Sequence, residues 1–97
     1  MSEQRNALTG QTDFAREADT IKLVGHPLRL RILTILQCRE CTVKQLWESL
    51  EVQQPIISQH LAILRTKGII AGRRRGLSVV YSIIDPFVKR LLSALAA

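Results

Sequence analysis

The sequence predicts a mainly α-helical domain with one small β-hairpin. The element order is α-α-α-α-β-β-α, that of a winged helix-turn-helix, and the chain is expected to work as a homodimer. Three observations predict this. Apolar residues recur at helical spacing through the first two-thirds of the chain and again after Asp85. After Gly68 the spacing changes to the alternation of short strands. The segment where it changes is rich in arginine and free of acid.

At 97 residues the chain is one domain by length. A chain this short buries only about two-thirds of its unfolded surface, so a partner subunit would add to a thin core. Residues 1–10 read as a flexible arm, and residues 11–97 as the folded domain. The first helix runs from about Thr12 to Val24, with Phe14, Ala18 and Ile21 on one face and Gly25 as its stop. Pro27 opens the second at a first helical position. That helix carries Leu28, Ile32, Leu33, Ile35 and Leu36 to about Gln37, apolar on more than one side, as a central core helix should be. The third runs from Val43 to Leu50, with Thr42 and Gln45 spaced for a capping box. A linker of Glu51, Val52, Gln53 and Gln54 leads to Pro55 and the fourth helix, which ends near Lys67. Its buried stripe is Ile57, Leu61 and Leu64. Ile69–Arg74 and Ser78–Ile83 read as strands joined by a turn at Arg75, Gly76 and Leu77. Asp85 caps a last helix with the stripe Val88, Leu91, Leu92 and Leu95.

Charge is unevenly placed. The formal net charge is +6. From Val52 to Ile84 the bases are Arg65, Lys67, Arg73, Arg74 and Arg75, with no acid between them. Such a run is the footprint of a polyanion-binding face, or a solvated surface that happens to be basic. The fourth helix favours the first reading. Opposite its apolar stripe lie Pro55, Ser58, Gln59, Ala62, Arg65 and Thr66. A major groove about 12 Å wide admits one helix, and short polar side chains near its start can reach base edges. Gln53, Gln54, Ser58 and Gln59 are therefore base-reading candidates, and Arg65 and Lys67 phosphate candidates. His60 lies on the flank, either a DNA contact or a core-edge histidine. Arg73, Arg74 and Arg75 stand at the hairpin tip, where a basic wing can follow the adjacent backbone or enter a minor groove. By alternation Arg73 and Arg75 share a face and Arg74 points away. Tyr81 either donates to phosphate or packs under the wing, with packing favoured.

The stretch from Leu23 to Ile83 resembles the ArsR/SmtB family of metal- and ligand-responsive repressors. The residues that carry the resemblance are Gly25-His26-Pro27-Leu28-Arg29-Leu30-Arg31-Ile32-Leu33, Thr42-Val43-Lys44-Gln45-Leu46, and Gln54 through Arg65 with its Ser-x-His-Leu-x-x-Leu-Arg run. Gly68-Ile69-Ile70, Arg73 to Gly76, and Val80-Tyr81 complete it. The resemblance implies a winged-helix homodimer joined through its first and last helices. It also implies repression of an inverted-repeat operator, relieved by an effector. The stripes of those two helices, Phe14, Ala18, Ile21, Val88, Leu91, Leu92 and Leu95, are the expected interface.

The family's metal sites do not carry over. The third helix begins Thr42-Val43-Lys44, without the Cys-x-Cys of the arsenic type, and the last helix lacks paired Asp and His ligands. What remains is Cys38-Arg39-Glu40-Cys41 between the second and third helices. Cys-x-x-Cys can hold half of a thiophilic metal site, close into a disulfide, or be inert. Two cysteines so close cannot staple a secreted fold, and no signal peptide or membrane-length apolar run is visible, so the expected compartment is the cytoplasm. No nucleophile–base pair, Gly-rich phosphate loop or carboxylate pair suggests an enzyme. A winged-helix protein–protein module without an effector, and a constitutive DNA-binding protein, are the competing readings. Steep salt dependence of binding would separate DNA from protein as the partner.

Overall fold

The computed structural model describes residues 14–96. The expected arm at residues 1–10 and Thr12 lie outside the described residues, but Phe14, expected inside the first helix, is its N-cap in a left-handed conformation at φ +57°, so the helix begins later than the apolar spacing suggested. Within the described residues the order is α1 (Ala15–Val24), α2 (Pro27–Cys38), α3 (Val43–Leu50), α4 (Gln54–Thr66), β1 (Ile70–Arg75), β2 (Ser78–Ile83) and α5 (Pro86–Ala96).

Local chemistry sets these boundaries. The His26 ring accepts a hydrogen bond from the Leu28 N–H through Nδ1 at 3.1 Å, and Pro27 follows as the first residue of α2. Thr42 and Gln45 form the capping box at α3: the Gln45 N–H donates to the threonine hydroxyl at 3.1 Å, and the Thr42 N–H donates to Gln45 Oε1 at 2.9 Å. The fourth helix begins at Gln54, one residue before the expected proline start. It ends in a Schellman motif. The Gly68 N–H donates to the Arg65 carbonyl and the Ile69 N–H to the Leu64 carbonyl, both at 3.0 Å, while Gly68 takes φ +75°. Leu64 and Ile69 are both buried, which supplies the motif's apolar contact. Asp85 Oδ1 accepts from the Phe87 N–H at 2.8 Å and so caps α5.

The hairpin register pairs Ile70 with Ile83 and Arg75 with Ser78. Arg75 is thus a strand residue, and the turn is only Gly76 and Leu77, with Gly76 at φ +65°. A two-residue turn with positive φ matches the right-handed twist of the strands. Cys41 adds a single-residue third strand on the far edge of β2. Its N–H donates to the Tyr81 carbonyl at 3.2 Å, and the Tyr81 N–H donates back at 2.7 Å. Gly72 stands opposite Tyr81, and a Cβ there would lie 2.8 Å from Val79 Cγ1 and 3.1 Å from Tyr81 Cε1. Only glycine lets the tyrosine ring and Val79 close over β1, so Tyr81 packs under the wing.

The core lies where α2 meets α3, α5 and β2. Ile32, Leu33 and Leu36 of α2 meet Leu46 and Leu50 of α3, and Ile57, Leu61 and Leu64 of α4. Burying one such side chain contributes about 1.5–3 kcal/mol. Val88 and Leu92, expected at the dimer interface, are buried in this same core. Their stripe is divided: those two hold α5 to its own protomer, Leu91 is half-buried, and Leu95 is exposed.

Candidate nucleic-acid interface

The site is built on α4 and the hairpin. Ile57, Leu61 and Leu64 are buried, as the sequence spacing requires, and fix which face of α4 turns outward. Gln53, Gln54 and Gln59 are exposed and Ser58 is half-buried. Among the described residues, none of these four side chains is hydrogen-bonded within the protein, so each is free to bond a base edge. Ile56 and Ile63 flank the exposed face and are themselves exposed. Sequence reasoning passed over both; the signal was that neither belongs to the Ile57, Leu61, Leu64 stripe. An exposed apolar side chain such as Ile56 at the start of α4 is of a kind that can meet a thymine methyl if the helix enters a major groove.

His60 is part of the joint that holds α4. Its Nδ1 accepts a hydrogen bond from Arg29 Nε at 3.1 Å, and its ring lies 4.8 Å from that of His26. Burial, then the Arg29 guanidinium, then His26 lower its pKa below the ordinary 6.5. The Arg29 guanidinium also donates to the Leu23 carbonyl at 3.1 Å, tying the end of α1 to α2 and α4. Arg31 reaches the Leu50 carbonyl at the end of α3 at 3.4 Å. Both arginines therefore satisfy helix-end carbonyls, a role no local pattern announced.

The basic residues divide. Arg65 and Lys67 are exposed at the end of α4, and Arg74 and Arg75 are exposed on the wing without an ion pair among the described residues. Arg73 differs: it pairs with Glu40 at 2.5 Å. The two free cysteines lie beside that glutamate. Cys38 is exposed at the end of α2, while Cys41 is buried with its thiol donating to the Arg39 carbonyl at 3.7 Å. Among the described residues no group of three or more His, Cys, Asp and Glu could share a metal ion, so the cysteine pair lacks the donors a tetrahedral site needs. No helix among the described residues is long and apolar enough to cross a membrane.

On α4, which ends just before a basic hairpin, the polar face makes no side-chain hydrogen bond among the described residues through Gln54, Ser58 and Gln59. Residues 26–71 match the bacterial regulatory protein, arsR family. The transcriptional regulator HlyU from Vibrio vulnificus superposes with a TM-score of 0.85 at 30% identity, over 94% of this chain and 95% of that one. This chain belongs to the arsR family. As a family member it is a DNA-binding transcriptional regulator and not an enzyme. The HTH-type transcriptional regulator NmtR from Mycobacterium tuberculosis is 38% identical over 80% of this chain, which spans 65% of that protein. The homodimeric winged helix-turn-helix DNA-binding domain Mb0332 from Mycobacterium bovis superposes with a TM-score of 0.75 at 25% identity, over 99% of this chain and 84% of that one.

Proposed function

We propose that this regulator binds an inverted-repeat operator as a homodimer and represses until an effector releases it. One observation carries the reading: among the described residues, the amide and hydroxyl side chains at the start of α4 have no hydrogen-bond partner, and they stand in the same fold as the Arg74 and Arg75 guanidinium groups of the wing, which have no ion pair there. Gln53, Gln54, Ser58 and Gln59 read base edges, while Arg65, Lys67, Arg74 and Arg75 hold phosphates. His60 holds the reading helix through Arg29. The dimer reading is supported by apolar residues left in water at the first and last helices: the N-cap residue Phe14 is 57% exposed, Ile21 48% and Leu95 69%. Mb0332, of the same fold, is a homodimer. A two-fold dimer presents two reading helices to a two-fold DNA site. Seated there, it excludes other proteins from the same stretch of duplex, which is repression by occupancy.

The effector acts at the Cys38–Cys41 loop. Cys38 is open to solvent, and Cys41 is bonded through its backbone to Tyr81 of β2, so closing the two thiols into a disulfide, with two protons and two electrons passing to an oxidant such as a peroxide, reaches the wing as well as α3. A metal at this loop would need further ligands from the partner subunit.

The test is fluorescence anisotropy with labelled duplex from upstream of the protein's own gene, using reduced and oxidised protein. Tight binding to this duplex over a random one, falling steeply with salt, is expected, with release on oxidation. Gln54→Ala should cost about 1–3 kcal/mol against this duplex and little against the random one. Equal affinity of the wild-type protein for both duplexes would overturn the operator reading.

A further inference from the structure

The sequence places Arg73 among the DNA-binding arginines, yet in the structure it is held by the protein itself. The hairpin and the Cys41 bridge together make three strands in the order β1, β2, Cys41. Arg73 lies on the first and Glu40 beside the third, so their ion pair spans β2. Antiparallel partners share a face of the sheet. Gly72, Tyr81 and Cys41 therefore face the core side, where Cys41 is buried. Arg73, its partner Val80, and Glu40 next to Cys41 face the other side. Val80 is buried on that outer face although it stands outside the core cluster. Arg73 is the cross-strand partner of Val80 and reaches over β2 to Glu40, a course on which an arginine stem would cover the valine while its head remains in water.

We propose that the Glu40–Arg73 pair is a strap across β2 that fixes the angle of the wing. Glu40 and Arg73 are then positioning residues for the phosphate contacts of Arg74 and Arg75, and Arg73 is not itself a phosphate contact. This rests on the DNA-binding reading of the wing. Both ends of the pair are half open to solvent, so its strength is modest, equivalent to about two- to five-fold in an equilibrium constant. That suffices to bias a hairpin that projects from the core, because the Cys41–Tyr81 backbone pair already holds the same edge.

The strap and a phosphate contact predict opposite outcomes. Glu40→Gln removes a negative charge beside a DNA-binding wing. If Glu40 only repelled DNA or competed for Arg73, this variant would bind the upstream duplex more tightly. The strap predicts binding about two- to five-fold weaker. Arg73→Gln should weaken binding by a similar factor and leave the slope of log affinity against log salt unchanged, whereas loss of a phosphate contact lowers that slope by about 0.9. Arg73→Glu and Glu40→Arg should each weaken binding, and the two together should return it to within about twofold of wild type, as expected for a pair whose polarity is immaterial.

Amide exchange at Cys41 and Tyr81, which needs no DNA, should quicken in Glu40→Gln by about the same two- to five-fold. Circular dichroism of each variant checks that the fold is retained. Tighter binding by Glu40→Gln, a double variant as weak as Arg73→Glu, or unchanged exchange at both amides would each overturn the strap. Failure of the DNA-binding reading would instead show as wild-type protein without salt-dependent affinity for any duplex, with the exchange result still deciding the strap.

Discussion

Two stripes with the same helical spacing meet opposite fates in this molecule. On α4, Ile57, Leu61 and Leu64 are sealed in the core. At α1, the N-cap residue Phe14 faces water, as do Ala18 and Ile21 on the helix itself, and Val24 is the one buried residue of that helix. Period 3.6 says that a helix has an apolar side. It does not say whether that side is covered by the helix's own chain or by another copy. The difference lies in how each helix is tied to the body. A Schellman turn carries α4 straight into the buried Ile69 and Ile70, so its stripe is pulled inward. Helix α1 is held at its C-terminal end, by Val24 and by Arg29 on the Leu23 carbonyl.

The largest effect is expected on the buried stripe of α4. Leu64→Ala removes a fully buried side chain that also closes the Schellman turn. The expected cost is about 2–5 kcal/mol of folding stability. For a domain of this size that lowers Tm by at least about 8 °C, read by thermal unfolding of the purified protein. DNA affinity should fall with the folded fraction. A loss under about 1 kcal/mol, below the range for a buried leucine, would mean that the stripe of α4 does not anchor the helix.

The exposed side should respond in a different measurement. Ile21→Ser leaves the protomer nearly untouched, with a stability change within about 0.5 kcal/mol. If α1 meets a second copy, dimerisation should weaken on the order of 10–100-fold, the equivalent of one buried apolar side chain. Sedimentation over a dilution series reads this directly. An unchanged association constant would remove α1 from the interface and leave Leu95 and Ile84 of the C-terminal region to carry it.

Legibility in the sequence divides in the same way, between local and distant. The third helix, its capping box, the Asp85 cap, β2 and the inward stripe of α4 all depend on residues within a few positions of one another, and all were legible. Gly76 was legible because a tight turn demands positive φ, although Arg75 proved to be strand. The contacts that shape the interface were not. Arg29 with His60, Gly72 beneath Tyr81, Cys41 beside Tyr81, and Glu40 with Arg73 join residues from 9 to 40 positions apart in sequence. Only the fold brings them together. The arginines illustrate the cost: Arg73, Arg74 and Arg75 are identical as letters, yet Arg73 pairs with Glu40 while the other two have no ion pair among the described residues. Val88 and Leu92 share a stripe with Leu95 but belong to the core, because a stripe wider than one contact can serve two neighbours.

A finer test lies at the end of α4, where the buried stripe hands over to the wing. Gly68 holds φ +75° and has nothing within 4 Å of where a Cβ would sit. Gly68→Ala therefore isolates conformational cost from packing cost, and about 1 kcal/mol is expected from the left-handed backbone alone. Chemical denaturation with an unchanged m-value would read it. A larger loss would mean that the helix end, and with it the wing, has moved. No loss would mean that the Schellman turn tolerates another geometry.

The smallest effect should come from His60, the link between α4 and α2. Its pKa is lowered chiefly by burial, then by the Arg29 guanidinium and by His26. The unfolded chain, with an ordinary histidine near 6.5, thus takes up a proton at a higher pH than the folded one. The stability this site contributes is complete above about pH 6.5 and is lost as pH falls through the lowered folded value. Protonation also ends the ability of Nδ1 to accept from Arg29 Nε, which loosens the joint between α2 and α4. Urea midpoints measured from about pH 7.5 to about pH 5, a span that brackets an ordinary histidine, should decline on the acid side in the wild-type protein. His60→Gln has no group titrating there and should decline less. Parallel curves for the two proteins would mean that His60 already carries a similar proton load folded and unfolded, and that the Arg29 link does not sense pH.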